Sequence, residues 1–266
     1  LTTYSTATKE GFVVLEVGPQ KQHYHLHKAL LVHHSDYFRS AMNGSWKEAK
    51  EKVISLKDVE TTAVEIFIHW LYTQQILNAV EVKEMQYEPT DDDPLITGYT
   101  KALVFGDRFL VPHFRQAVHN RIVDTLLGVG GNAPRNPTFF TATKYALENL
   151  PLNHNILKLL LDMHCRYWNV SGQGEDLDEE AGIAKILNMD LPYTLLIRLV
   201  ARYSSRVMEI NRDWRKTKLA GCDFHEHLND QERKDCKRKS RKANEHAWFK
   251  SLDAKFSGSA ELKDGN

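Results

Sequence analysis

Tyr24-His25-Leu26-His27-Lys28-Ala29-Leu30-Leu31, followed four residues on by Ser35-Asp36-Tyr37-Phe38, is the stretch whose reading decides the fold. Up to His27 the pattern is that of an extended strand, whose alternating side chains put His23, His25 and His27 on one side. At Lys28 it changes to a short helical run through Val32 with Leu30 and Leu31 as its core face. Ser35 and Asp36 then offer an N-cap hydroxyl and a first-turn acid to a second helix, Tyr37 to Met42.

Toward the amino terminus, Phe12-Val13-Val14-Leu15-Glu16-Val17 is β-branched and apolar and stops at Gly18-Pro19, so it pairs with the histidine-bearing strand as a hairpin. Toward the carboxyl terminus, Gly44 breaks the second helix and Val53-Ile54-Ser55-Leu56 reads as another strand. Thr61-Thr62 caps a helix with Val64, Phe67, Ile68 and Leu71 on one apolar face. Asn78 to Gly98 is polar, with Pro89, Asp91 to Asp93 and Pro94, and reads as an exposed inserted loop, with order returning at Tyr99. Leu103, Phe105, Phe109, Leu110, Phe114, Val118, Ile122, Val123 and Leu126 describe two helices, Pro112 opening the second. Beyond the glycine-rich Gly128 to Pro134, helical periodicity returns at Phe139 to Leu150, Ile156 to Trp168, Ile183 to Met189 and Pro192 to Ile210, interrupted by an acidic loop at 174–180. The order predicts an α+β front and an all-α back. It divides into an extension at 1–10, a folded unit at 11–127, a linker at 128–137, a helical region at 138–212 and a polar tail at 213–266.

The 35 Lys+Arg balance 35 Asp+Glu, which argues against a surface that binds nucleic acid or anionic membrane as a whole. The longest apolar stretches, Ile156 to Leu161 and Leu191 to Val200, carry Lys158 and Arg198 and fall short of the ~20 residues of a membrane span, so no membrane partner is expected. Three cysteines are too few and too odd for a disulfide framework and suit a reducing compartment, hence an intracellular chain, cytoplasmic or nuclear.

The stretch from Tyr24 to Phe38 resembles the signature of the BTB/POZ family: an aromatic, His-Lys, a pair of aliphatics and Ser-x-x-Phe. Further resemblances follow in order at Val17-Gly18-Pro19, Asn43-Gly44-Ser45-Trp46-Lys47-Glu48, Val53 to Leu56 and Ile68-His69-Trp70-Leu71-Tyr72-Thr73, spanning 11–127. Val-Gly-Pro, Trp-Leu-Tyr-Thr, the insertion before Tyr99 and the Cys/His-bearing tail are similar to the fungal branch, whose members carry a helical carboxyl half. The resemblance implies a BTB/POZ fold, a small β-sheet flanked by a helical cluster, and a non-enzymatic protein-protein interaction module, with a homodimer among its assemblies. The sequence departs from the family pattern in lacking an Asp in the first strand. Residues 1 to 11 also leave no room for the strand and helix that many animal members exchange between partners.

Trp46-Lys47-Glu48 is similar to the hydrophobic-x-acid motif with which BTB adaptors of cullin-RING ubiquitin ligases meet their cullin. The resemblance gives Trp46 an apolar groove edge and Glu48 a polar anchor, as partner-binding residues of a substrate adaptor. The rival reading is a nuclear regulator, associated with transcription or chromatin, that uses the tail.

No catalytic residues are expected. The alternating His23, His25 and His27 have metal-like spacing without nearby carboxylates or Cys, and read as solvent-facing strand residues. His33-His34-Ser35-Asp36 holds the letters of a catalytic triad, but neighbours on one tight turn cannot converge as nucleophile, base and orienter. Gly128-x-Gly130-Gly131 lacks the preceding strand and the Lys-Ser/Thr of a phosphate loop.

In the tail, Cys222, His225, His227 and Cys236 give C-x2-H-x-H-x8-C, four ligands of the kind that close a tetrahedral structural zinc site. Two His one residue apart need a turn or extended backbone to reach one ion. The bland alternative is a flexible polar tail with incidental Cys and His. No other cofactor is expected. Arg233 to Lys242 holds seven basic residues and one acid, the composition of a nuclear-import signal, of a phosphate-contacting patch or of a solvated helical face.

Overall fold

The computed structural model describes residues 11–43, 47–78, 81–82, 94–128, 139–167, 191–208 and 221–239. The chain divides into two compact units, 1–217 and 218–266. The first begins with a hairpin of β1 (Phe12–Val17) and β2 (Gln22–His27), in antiparallel register from Phe12 opposite His27 to Val17 opposite Gln22. Gly18 turns the chain with φ of 71°, and the Lys21 N–H closes the turn on its carbonyl at 3.2 Å. Three short helices follow: α1 (Lys28–His34), α2 (Asp36–Asn43) and α3 (Lys47–Glu51). They carry the chain over to β3 (Val53–Leu56), which pairs in parallel with β1, giving the order β2-β1-β3. A parallel neighbour needs such a crossover, and the helices supply it. Val13, Leu15 and Val17 of the central strand are fully buried.

Ser35 joins α1 to α2. Its Oγ accepts the Phe38 N–H at 3.0 Å, the expected N-cap bond, and donates to the Phe109 carbonyl at 2.6 Å. Phe38 stacks on Phe109 with centroids 5.4 Å apart, in an aromatic core that also holds Phe67, Trp70, Phe105 and Phe114.

The helix α4 (Thr61–Thr73) starts from Glu60 at the N-cap position, so Thr61 and Thr62 are its first residues and not its caps. Its buried side chains are Ala63, Val64, Ile66, Phe67, Trp70 and Leu71, while Ile68, expected in the core, is half-buried. The helix packs against α1 on one side and against α5 (Pro94–Arg108) and α6 (Pro112–Leu126) on the others, so its buried arc is wider than a single stripe. The expected loop to Gly98 is shorter than predicted: α5 begins at Pro94, and Leu95, Ile96, Thr97 and Gly98 are buried in it. Leu95, Ile96 and Tyr99 fall on one helical face, a signal masked by the polar residues before them. Gly106 lets α5 and α6 approach closely, for a Cβ there would lie 3.0 Å from the Arg115 Cα. Leu110, expected on a helix face, occupies the turn between them with φ of 51° and is 54% exposed.

The helices α7 (Phe140–Asn149), α8 (Asn155–Tyr167) and α9 (Tyr193–Met208) complete this unit. α7 packs on α5, α8 on α6 and α9 on α8, so the helical region expected at 138–212 shares a unit with the helices before it. Leu195 of α9 is buried with Phe140 and Leu161, and Leu191 and Leu199 pack against them. Asp162, 2% exposed at its side chain, binds the Arg202 guanidinium in a bidentate pair at 2.5 and 2.8 Å, tying α8 to α9. His164 is fully buried, stacked on Phe140 at 4.5 Å, with Nε2 3.1 Å from the Thr143 hydroxyl. That hydroxyl donates to the Phe139 carbonyl, so it accepts from Nε2–H. Burial holds the His164 imidazole down at about 4.

The expected segments at 1–10, 174–180 and Ile183 to Met189, and the linker from 129 onward, lie outside the described residues. Among the described residues no helix is long and apolar enough to cross a membrane.

Candidate functional site

The second unit is built from a turn and a helix. Gly221–Asp223 form one 3-10 turn, and the N–H groups of Phe224 and His225 both bond the Gly221 carbonyl, at 3.0 and 2.9 Å. Residues 225–229 are irregular, and on this non-helical backbone two His separated by one residue each reach a cysteine, His225 reaching Cys236 and His227 reaching Cys222. Asn229 then caps a helix, α10, over residues 230–239: its Oδ1 accepts the Glu232 N–H at 2.9 Å, and Glu232 reaches back to accept the Leu228 N–H at 2.7 Å. The residues Asn229-Asp230-Gln231-Glu232 thus carry their own start signal, and within the stretch expected as a polar tail with a Cys/His cluster and a basic run, residues 230–239 form a helix.

Cys236, on that helix, returns to the turn. The reactive atoms of Cys222, His227 and Cys236 all lie within 4.8 Å of one another. His227 Nε2 is 3.8 Å from the Cys222 thiol, and His225 Nδ1 is 3.2 Å from the Cys236 thiol. Three of the four expected ligands, Cys222, His227 and Cys236, therefore form a compact set, and His225 stands against the Cys236 thiol outside that 4.8 Å set. Cys222 is buried, and the other three are half-buried. Burial first, then the neighbouring His225, lowers the His227 pKa from its ordinary value, favouring the neutral ring.

The basic run extends along α10. Arg233, Lys234, Lys237, Arg238 and Lys239 are exposed, with Arg238 paired to Asp235 at 3.0 Å. Residues 240–242 of the run lie outside the described residues.

Of the expected partner-binding pair, Trp46 lies outside the described residues, while Glu48 is half-buried in the first turn of α3, just before β3. The strand histidines do not act as a set: His23 and His25 are exposed, whereas His27 is half-buried with Nδ1 2.9 Å from the Tyr72 hydroxyl. The Ser35 hydroxyl is fully buried and engaged on both sides, and His34 packs edge-on to Trp70 at 5.1 Å, so the triad letters serve packing.

Sequence reasoning missed the outer face of α9. There Tyr193, Ile197, Val200 and Tyr203 are 74%, 48%, 66% and 54% exposed, opposite the buried Leu195. Leu191, Leu195 and Leu199 recur every four residues, which is the signal that separates the two faces.

Comparison with known families agrees with the geometry. The BTB/POZ domain model matches residues 12–88, from β1 through α4 and beyond. The three-stranded sheet, the helices wrapped on it and the helices that follow are the α+β arrangement the resemblance implied. The chain carries a BTB/POZ domain, a protein-protein interaction module. No curated protein matches it.

Proposed function

We propose that the chain is a protein-binding adaptor whose BTB/POZ domain engages a cullin while its helical carboxyl-terminal half holds a client. The observation that carries this reading is the docking of α7 on α5 and of α8 on α6, which makes one compact unit of the BTB/POZ domain and the helices behind it. Such a unit can fix a bound client at a set position relative to a bound ligase. Glu48, half-buried in the first turn of α3, supports the cullin side, and the apolar outer face of α9 gives the carboxyl half surface to spare. The test is cullin pull-down with the full chain. Binding by the wild type that is lost on Trp46→Ala and Glu48→Ala supports the reading; no wild-type binding, or binding unchanged in both variants, refutes it.

The second reading, a nuclear regulator, draws on α10, which gathers five exposed basic side chains on one short helix. Nuclear accumulation that falls on neutralising Lys234, Lys237 and Lys239, or nucleic-acid binding that weakens steeply with salt, would favour it over the adaptor.

A further inference from the structure

We propose that Cys222, His225, His227 and Cys236 form a closed structural zinc site that fixes α10 to the turn at Gly221–Asp223. With Zn–S near 2.3 Å and Zn–N near 2.0–2.1 Å, the S···N edges of a regular tetrahedron are about 3.6 Å and its S···S edge about 3.8 Å. The two S···N separations here, 3.8 Å for Cys222–His227 and 3.2 Å for Cys236–His225, lie on either side of that edge. Cys222, His227 and Cys236 already lie within 4.8 Å of one another, so closing the tetrahedron takes a shift of His225, already against Cys236, toward the other two. Two thiolates and two neutral imidazoles balance the dication, and this borderline-soft donor set suits zinc over magnesium or calcium.

A second observation points the same way. Among the described residues of the unit at 218–266, only Cys222 and Phe224 are buried hydrophobics. Within residues 221–239 those two side chains offer little apolar burial to hold a capped helix against a turn, and a metal is one of the staples that small domains use for this. A Cys222–Cys236 disulfide would use two of the four converging groups and leave both His without a purpose. Zinc uses all four. The ion's binding is then folding energy for the unit, and removing it frees α10 from its turn. This site stands independently of the partner assigned to the BTB/POZ domain.

The experiment is metal analysis of the full chain, purified under reducing conditions without chelator from zinc-supplemented medium, together with cobalt(II) titration of the stripped chain. One zinc per chain is expected, and cobalt should give intense visible d–d bands with thiolate charge transfer, the pattern of tetrahedral two-sulfur ligation. The Cys222→Ser/Cys236→Ser variant should hold no zinc, His225→Ala should bind on the order of 100-fold more weakly, and Cys165→Ser should keep one zinc. A zinc-free wild type whose stripped form gives no tetrahedral cobalt spectrum overturns the proposal. So does zinc retained by the double Ser variant, or a Cys222–Cys236 disulfide in the freshly purified chain.

Discussion

Replacing Ser35 with Ala removes two hydrogen bonds at the point where the hairpin hands over to the helices. The first is the N-cap bond to the Phe38 N–H at 3.0 Å, and losing such a cap costs about 1 kcal/mol. The second is the bond to the Phe109 carbonyl at 2.6 Å, made inside the core by a fully buried side chain. Leaving that carbonyl without the hydroxyl costs about 1–3 kcal/mol. Ser35→Ala should therefore destabilise by about 2–4 kcal/mol. Ser35→Gly isolates the second term, since glycine at an N-cap costs only a few tenths of a kcal/mol, and it should fall about 1 kcal/mol short of the alanine variant. Urea unfolding followed by tryptophan fluorescence is the assay, because Trp70, 3% exposed, packs among the same aromatic rings. A loss below ~0.5 kcal/mol in Ser35→Ala would refute the double role, and equal losses in the two variants would refute the cap.

Gly106→Ala would put a methyl group 3.0 Å from the Arg115 Cα, a contact that helix backbone cannot yield without moving, so it should cost about 1–3 kcal/mol, read as a lowered thermal midpoint. Burial holds His164 and His34 down at about 4 in the fold, so below the ordinary 6.5 the unfolded chain binds more protons than the folded one. Their contribution is complete above pH 6.5 and is lost as pH falls toward 4. Urea midpoints measured across that window should drop, and His164→Phe should flatten the drop while leaving the part owed to His34; an unchanged slope would count against the assignment.

Much of the candidate site is legible in the sequence. The four ligands stand within fifteen residues, and the requirement for a turn between the two His is met at residues 225–227. The capping box from Asn229 to Glu232 is equally plain, because capping depends on neighbours in the chain. What spacing does not give is the direction in which Cys236 faces, since that depends on how α10 folds back over the turn.

The same division runs through the unit that carries the BTB/POZ domain. Alternation in Phe12–Val17, the cap at Ser35 and Pro112 opening α6 are settled by bonds and sterics a few residues long, and the sequence by itself determined them. Tertiary packing decided which residues became core. Ile66 and Trp70 displaced Ile68 because α4 is pressed from several sides, and Leu95 to Gly98 were drawn into α5 because α4 and α7 cover that helix. Contact partners far apart in sequence, such as Ser35 with Phe109 or Asp162 with Arg202, exist only once separate elements meet. Local pattern encodes where an element begins and which way its side chains alternate; the free energy of burial, summed over all neighbours, selects the face that ends up inside.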